Sequence, residues 1–153
     1  MRASPFLSVS WILWVTVALV YAGPDITEIR APETKHWLLG THDFSLHWIG
    51  NDPIGRITIS DHDGILTVKG SQEDKKSGNY ITVEGIITQV EAKAFIFKGT
   101  IVTRVSFVAS GRPVRREGAM MFAVTKDRDF FRLQQMDNPD DAVVDYIDIY
   151  PRR

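Results

Sequence analysis

The sequence predicts an all-β protein, an antiparallel meander of about eight strands that forms a small barrel or a strongly curved sheet. After residue 37, short runs rich in β-branched and aromatic residues alternate with turn residues, as strands joined by tight turns do. No segment of that region keeps a 3.6-residue apolar period over three turns, which an amphipathic helix requires. The chain has 153 residues, and this length suits a single domain.

The first 22 residues are typical of a secretory signal helix. Arg2 is the only charge in this stretch, an apolar run follows it, and Val20 and Ala22 fit the positions before a cleavage site. The alternative is an uncleaved membrane anchor, because residues 3–24 form an uncharged stretch just long enough to span a bilayer. Both alternatives place the rest of the chain outside the cytoplasm, periplasmic or secreted, since the early arginine keeps the N-terminus inside.

The next residues, 23–36, are expected to form an irregular N-terminal arm, and residues 37–153 a single β domain. The predicted strands of that domain, each bounded by turn residues, are residues 44–49, 55–60, 65–70, 80–90, 94–108, 119–125, 130–136 and 142–150. The strand over 94–108 has apolar residues on both faces, with Phe95 and Phe107 on the same one. We therefore expect bending, the arm or a second subunit to cover its outer face.

A first hairpin is predicted at Asp63-Gly64, because a type I′ turn needs positive φ at both central positions. Centring the turn on this dipeptide places Ile59 directly opposite Val68. The ladder then has one largely apolar face and one polar face, as a half-buried pair of strands requires.

A second hairpin is predicted to turn at residues 91–93, which places Gly85 opposite Gly99. Paired glycines inside long strands indicate a bend or a close approach of two backbones. Gly70, like Gly85 and Gly99, directly follows an apolar residue and a charged residue. We therefore expect the three glycines to curve the sheet toward closure. Coincidence among the 11 glycines of the chain is the alternative.

Composition argues against several function classes. The chain has 18 Lys+Arg and 19 Asp+Glu, so we expect no nucleic-acid partner, which usually selects a basic protein. It has no cysteine, which removes disulfides, zinc knuckles and thiol nucleophiles. Gly-x-Ser-x-Gly, P-loop and Gly-x-Gly-x-x-Gly motifs are absent, so we expect neither a cofactor nor an enzyme. A hydrolase would have to assemble its site without these motifs.

Three of the four histidines are candidate metal ligands. Imidazole and carboxylate groups commonly bind zinc, copper and nickel, which makes His42, His47 and His62 weak candidates for a metal site. However, the chain has no HExxH or H-x-H spacing, and the aspartates on both sides of His62 are explained by the turn. We therefore expect no metal.

Polar residues interrupt the apolar runs of the last two predicted strands. With aromatic neighbours, the candidate binding residues are Arg132, Gln134, Asp145, Tyr146, Asp148 and Trp48. A turn between the two strands would bring Arg132 close to Asp148, and Gln134 close to Asp145 or Tyr146. Two interpretations stay open: a polar site inside a barrel, or an outer ladder of cross-strand pairs.

A basic segment lies at residues 111–118, with three arginines and one glutamate. We expect a solvated charged loop there. Contact with an anionic surface is the alternative.

A meander of about eight short strands after a signal peptide resembles the calycin-like barrels, lipocalins and avidins, in architecture. The Gly-x-Trp of lipocalins is missing, since the order here is Trp37-Leu-Leu-Gly40. The resemblance carries over no ligand residues, and a barrel of about eight strands either holds one small ligand or is filled by side chains. The region between Trp37 and Phe131 is rich in aromatic residues, more than a minimal core needs, which favours a ligand cavity.

We therefore expect an exported, non-catalytic binding module for a small hydrophobic or amphipathic ligand. The alternative is an envelope structural or protein-interaction domain with a solid core and an exposed apolar patch. In both cases the membrane is contacted only through the N-terminal segment, if that segment is uncleaved. An oligomer is compatible with either alternative.

Overall fold

The computed structural model describes residues 26–152, and the predicted signal segment lies outside the described residues. The helices and strands, in chain order, are β1 (Glu28–Ile29), α1 (Pro32–Leu38), β2 (Gly40–Leu46), β3 (Gly55–His62), β4 (Ile65–Asp74), β5 (Asn79–Glu91), β6 (Ala94–Arg104), a 3₁₀ turn (Ala109–Gly111), β7 (Val114–Ala123), β8 (Phe131–Leu133) and β9 (Ile147–Tyr150). Each strand from β2 to β9 pairs antiparallel with the next, and β9 pairs with β2. The predicted meander is therefore confirmed as a closed barrel of eight strands, to which β1 adds in parallel beside β5.

The barrel has two different ends, because alternate turns of a meander lie at the same end. The short β3–β4 and β5–β6 turns lie at one end together with α1, and we call it the helix end. The connections at the opposite end, the loop end, are residues 47–54, 75–78, 105–113 and 134–146. The candidate residues from the last two predicted strands and from the first strand lie at or near the loop end.

Helix α1 corrects the irregular arm that was predicted over residues 23–36. Pro32 lies in the first turn, where its missing N–H leaves no intrahelical bond unmade. Leu38 is fully buried, and the Thr34 hydroxyl donates to the carbonyl of Ala92 at 2.8 Å, which fixes the helix to the β5–β6 turn. The sequence did not predict this helix, because its seven residues are too few to show the 3.6-residue apolar period. Within the described residues, no helix is long and apolar enough to cross a bilayer.

The register predicted for the first hairpin is confirmed. Ile59 lies opposite Val68, and both side chains are buried in the barrel. Asp63 and Gly64 have φ of 53° and 87°, as the two central positions of a type I′ turn require.

The predicted pairing of Gly85 with Gly99 is also confirmed. A Cβ atom on Gly85 would lie 2.4 Å from the Lys98 carbonyl oxygen and 2.7 Å from the Gly99 Cα atom, so no larger residue fits. Gly118 of β7 continues this row beyond Gly99, whereas Gly70 pairs with Val83. The glycine row thus marks a close approach of β5 and β6, over which the ring of Phe97 packs.

Side chains fill the barrel interior. The largest fully buried ones are aromatic, namely Phe44, Phe95, Phe97, Phe122 and Phe131. The rings of Phe95 and Phe122 stack with centroids 5.1 Å apart, and Phe131 meets Phe95 at 5.3 Å. The aromatic residues that favoured a cavity therefore pack against one another. Phe107 was wrongly placed with them, because β6 ends at Arg104 and leaves its ring 65% exposed.

Candidate functional site

The six candidate binding residues fall into two groups. Four lie on the outer wall over β8, β9 and the connection between them: Arg132, Gln134, Tyr146 and Asp148. The other two, Trp48 and Asp145, lie at the loop end and are joined by a hydrogen bond. The structure therefore separates residues that the sequence had placed in a single site.

The outer group is built on the predicted ion pair. Arg132 and Asp148 are directly opposite on β8 and β9, and Nε and Nη2 of the arginine donate to the two carboxylate oxygens at 2.7 and 2.6 Å. Phe131 and Leu133, the neighbours of Arg132 along β8, are fully buried in the interior, so Arg132 faces outward. This placement supports the outer-ladder interpretation for Arg132 and Asp148, which do not line the barrel interior.

Aromatic rings shield this ion pair from solvent. The guanidinium of Arg132 lies 4.3 Å from the centroid of the Tyr146 ring and 5.2 Å from that of Phe130. Only 16% of the Arg132 side chain and 5% of the Asp148 side chain remain exposed. The hydrogen bonds that Arg132 donates to Asp148 raise the pKa of Arg132, and burial raises the pKa of the Tyr150 phenol beside them. The arginine charge is thus neutralised within the chain, which indicates that this group has a structural role in joining β8 to β9.

Gln134 completes the outer group without reaching Asp145. Its Nε2 atom donates to the backbone carbonyl of Arg132 at 2.7 Å. Gln134, Tyr146 and Arg132 line a groove of about 260 Å³ together with Lys126 and Arg128. The groove is small, and the arginine within it is already paired with a carboxylate.

The loop-end group is centred on Asp145, which is 1% exposed. Its carboxylate accepts three hydrogen bonds: from Trp48 Nε1 at 2.8 Å, from Asn138 Nδ2 at 2.8 Å and from Arg116 Nη2 at 2.7 Å. Arg116 also donates to the carbonyl of Asp137 at 3.0 Å. These contacts hold the β2–β3 and β8–β9 connections against β7, so the loop end of the barrel is fixed by one buried carboxylate.

Arg116 was missed in the sequence, and the predicted basic loop over residues 111–118 is wrong. Val114–Ala123 is strand β7, and Arg116 is buried within it. The alternation of side chains along the strand could have revealed this position, because Arg116 lies on the same inward face as Val114, Met120 and Phe122. A charge on an inward face needs a partner, and Asp145 supplies it.

Trp48 forms one wall of a groove at the loop end. The groove has a volume of about 470 Å³, and its other walls are Asp137, Asp141, Ala142, Val143 and Val144. Phe107, the exposed ring, meets Trp48 edge-on at 5.7 Å and extends the apolar surface beyond the groove. Together, Trp48, Phe107, Val143 and Val144 form a continuous apolar patch, which we call the loop-end patch.

One rim carboxylate of the groove is held in position. Asp141 accepts the backbone N–H of Ala109 at 2.7 Å and that of Ala142 at 2.8 Å, and these bonds lower its pKa. Asp141 therefore stays ionised and links the β6–β7 connection to the β8–β9 connection. Asp137, on the same rim, has an exposed side chain.

The three histidines considered as metal ligands lie in different environments. Both ring nitrogens of His42 are engaged, Nε2 with the Leu38 carbonyl at 2.6 Å and Nδ1 with the backbone N–H of Arg152 at 3.2 Å. His47 and His62 are exposed, one beside Trp48 and the other at the end of β3. Among residues 26–152, no three His, Cys, Asp or Glu side chains are grouped so that they could hold a metal ion.

Comparison with known proteins identifies the family. The model of the PM1083 family matches residues 26–151. The chain belongs to the PM1083 family. A protein of Pasteurella multocida (strain Pm70), named "Uncharacterized protein PM1083", is 44% identical over 124 residues, which are 81% of this chain and 80% of the relative. No solved structure matches the chain. The PM1083 match spans α1, all nine strands and both groups of candidate residues.

Proposed function

We propose that this protein is an exported, non-catalytic binding module that takes a small apolar or amphipathic ligand on the outside of its barrel, at the loop-end patch. The observation that carries the proposal is the groove walled by Trp48, Val143 and Val144. Its tryptophan is held rigidly by a buried carboxylate, and rigid aromatic walls bind apolar groups at a low cost in side-chain entropy. The filled interior argues for a surface site, since phenylalanines occupy the space that a lipocalin-like ligand would need.

Charge at the rim indicates which amphipathic ligands fit best. Asp137 and Asp141 line the apolar groove, and the residues that line it include no arginine or lysine. An apolar chain in the groove would place a positively charged head group beside these two carboxylates. We therefore propose a cationic amphiphile as the preferred ligand class.

Export and the absence of catalysis remain parts of this proposal. The first 22 residues support export by their sequence pattern. The first described residues lie at the helix end, where the backbone N–H of Thr27 donates to the carbonyl of Gly64 at 2.9 Å. The loop-end patch is at the opposite end of the barrel, so a signal or anchor preceding residue 26 would leave it accessible. Behind Trp48, the buried Asp145 accepts hydrogen bonds from Arg116 and Asn138, which favours a structural role for these three polar side chains.

Titration calorimetry with two surfactants of equal chain length tests the proposal. Decyltrimethylammonium and decyl sulfate are added as monomers, below their micelle concentrations. The cationic surfactant should bind more tightly, and Val144→Lys, which puts a positive charge on the groove wall, should weaken its binding by about tenfold or more, because the new charge repels the head group and disrupts the apolar wall. Thr58→Lys, a change at an exposed position on β3, serves as the matched control and should leave binding unchanged. Equal binding by wild type and Val144→Lys would contradict the proposal.

A second candidate is an envelope protein-interaction domain, which the filled interior and the exposed ring of Phe107 favour. In that case the loop-end patch would contact an apolar surface of another protein, and neither surfactant would bind measurably. A photo-crosslinking amino acid at position 107 distinguishes the two candidates. It should form a defined protein adduct in the cell envelope only if the protein acts as an interaction domain.

A further inference from the structure

Strand β7 has an open edge in an otherwise closed barrel. Ten residues of β7 pair with β6, from Val114 opposite Thr103 at one end to Ala123 opposite Ala94 at the other. On its other side, the ladder with β8 contains only Phe122 and Ala123. One further bond, from the Gln134 N–H to the Met121 carbonyl at 2.8 Å, ends this pairing.

The backbone groups at this edge can be identified by alternation. Successive residues of an antiparallel strand direct their N–H and C=O groups to opposite neighbours. Met121 bonds toward β8, so Arg115, Glu117 and Ala119 direct their backbone groups the same way, beyond the end of the β7–β8 ladder. All three residues are exposed, and so is Gly118 between them. Gly118 has φ of 102°, a backbone conformation that glycine adopts more readily than other residues.

The exposed side chains along the edge have complementary charges. Arg115 and Glu117 are two residues apart on the same outward face, with 59% and 60% of their side chains exposed. Within one chain they pair with each other at 2.6 Å. In an antiparallel pairing of two copies of β7 centred on Arg116, Arg115 of each copy lies directly opposite Glu117 of the other. Such a pairing is isologous, as the interface of a two-fold dimer must be.

We propose that this edge of β7 is a dimerisation site, where a second copy of the chain adds its own β7 antiparallel. The two strands exchange hydrogen bonds through the backbones of Arg115 and Glu117, and two intermolecular Arg115–Glu117 pairs fix the register. Arg116, at the centre, faces each barrel's interior and keeps its charge paired with Asp145 of its own chain. The site is distinct from the loop-end groove, whose lining residues include none from β7.

Sedimentation velocity of the purified protein across a range of concentrations tests this proposal. The wild type should show a concentration-dependent dimer. Glu117→Arg and Arg115→Glu each place like charges opposite one another, and each should raise the dimer dissociation constant by about tenfold or more. The double variant Arg115→Glu/Glu117→Arg exchanges the two charges and should restore the wild-type constant. Lys93→Glu, at an exposed position in the β5–β6 turn at the helix end, is the control and should have no effect.

Amide hydrogen exchange supplies a second readout that does not depend on any variant. The amides of Arg115 and Glu117 should exchange more slowly at high protein concentration than at dilution, since dimerisation pairs them. A protein that stays monomeric throughout would overturn the proposal. So would a dimer that both charge reversals leave intact, or one that the double exchange fails to restore.

Discussion

Arg132 and Asp148 face each other across β8 and β9 and share two hydrogen bonds on the outer wall of the barrel, at 2.7 and 2.6 Å. Strand β8 has only three residues, and its ladders to β7 and β9 contain two residue pairs each. The bidentate pair therefore adds side-chain bonds where the backbone pairing is shortest. The rings of Tyr146 and Phe130 keep water from the pair, which strengthens it.

Arg132→Ala should lower the free energy of unfolding by roughly 3 kcal/mol, because it leaves the Asp148 carboxylate nearly buried without a partner. Arg56→Ala is the matched control: Arg56 also pairs with an aspartate, Asp43, on the outer wall, but both side chains are well exposed. That change should cost at most about 1 kcal/mol. Urea unfolding of the two variants measures the difference. Equal costs would mean that the aromatic rings do not shield the pair.

Asp145→Ala should destabilise the protein by about 3–5 kcal/mol, because it leaves Arg116 charged and buried in the barrel. Replacing both residues by apolar ones, as in Arg116→Met/Asp145→Leu, should cost less than the sum of the two single changes. A double-mutant cycle from chemical denaturation gives the coupling energy between them. Additive costs would show that the two side chains do not act as a pair.

Gly85→Ala should destabilise the protein by about 2–3 kcal/mol, since the added methyl group collides with the backbone of β6. Thr100→Ala, a change on the outer face of the neighbouring strand, should stay within about 1 kcal/mol. Thermal unfolding of both variants compares them. A Gly85→Ala protein as stable as the control would contradict the close approach of β5 and β6.

The pH dependence of stability should contain a contribution from Asp141. Two backbone N–H groups hold its pKa in the folded protein below the ordinary value of 3.8, Ala109 more strongly than Ala142. A carboxylate with a depressed folded pKa stabilises the fold above its unfolded pKa and loses that contribution as the pH falls through the folded value. Wild type should therefore exceed Asp141→Asn in stability above about pH 4, and the gap should close toward pH 2. A gap that is constant with pH would exclude an effect of this charge.

The sequence predicted the barrel well where apolar alternation and turn chemistry act locally. The Asp63-Gly64 turn and the register of Ile59 with Val68 follow from two residue preferences that need no tertiary information. The pairing of Gly85 with Gly99 followed from the same arithmetic. The pairing of β2 with β9, which closes the barrel, joins distant parts of the chain. In the sequence, only the glycine pattern indicated that the sheet would curve toward closure.

The site was harder to predict, because its residues come from separate connections. Arg132 and Asp148 were found because a single turn brings them together. Asp145 and Arg116 lie 29 positions apart in the sequence. Three arginines around residue 115 suggested a solvated loop, although Arg116 occupies an inward position of a strand. The groove beside Trp48 forms only when the β2–β3 and β8–β9 connections meet, and no local pattern shows that meeting.

Methyl NMR during a titration with decyltrimethylammonium decides whether the ligand binds outside the filled barrel. The methyl signals of Val143 and Val144 should shift with increasing surfactant, together with the indole N–H of Trp48. The methyl signals of Val83 and Ile101, which are buried in the interior, should stay in place. Shifts of Val83 and Ile101 with Val143 and Val144 unchanged would place the ligand inside the barrel and rule out the external site.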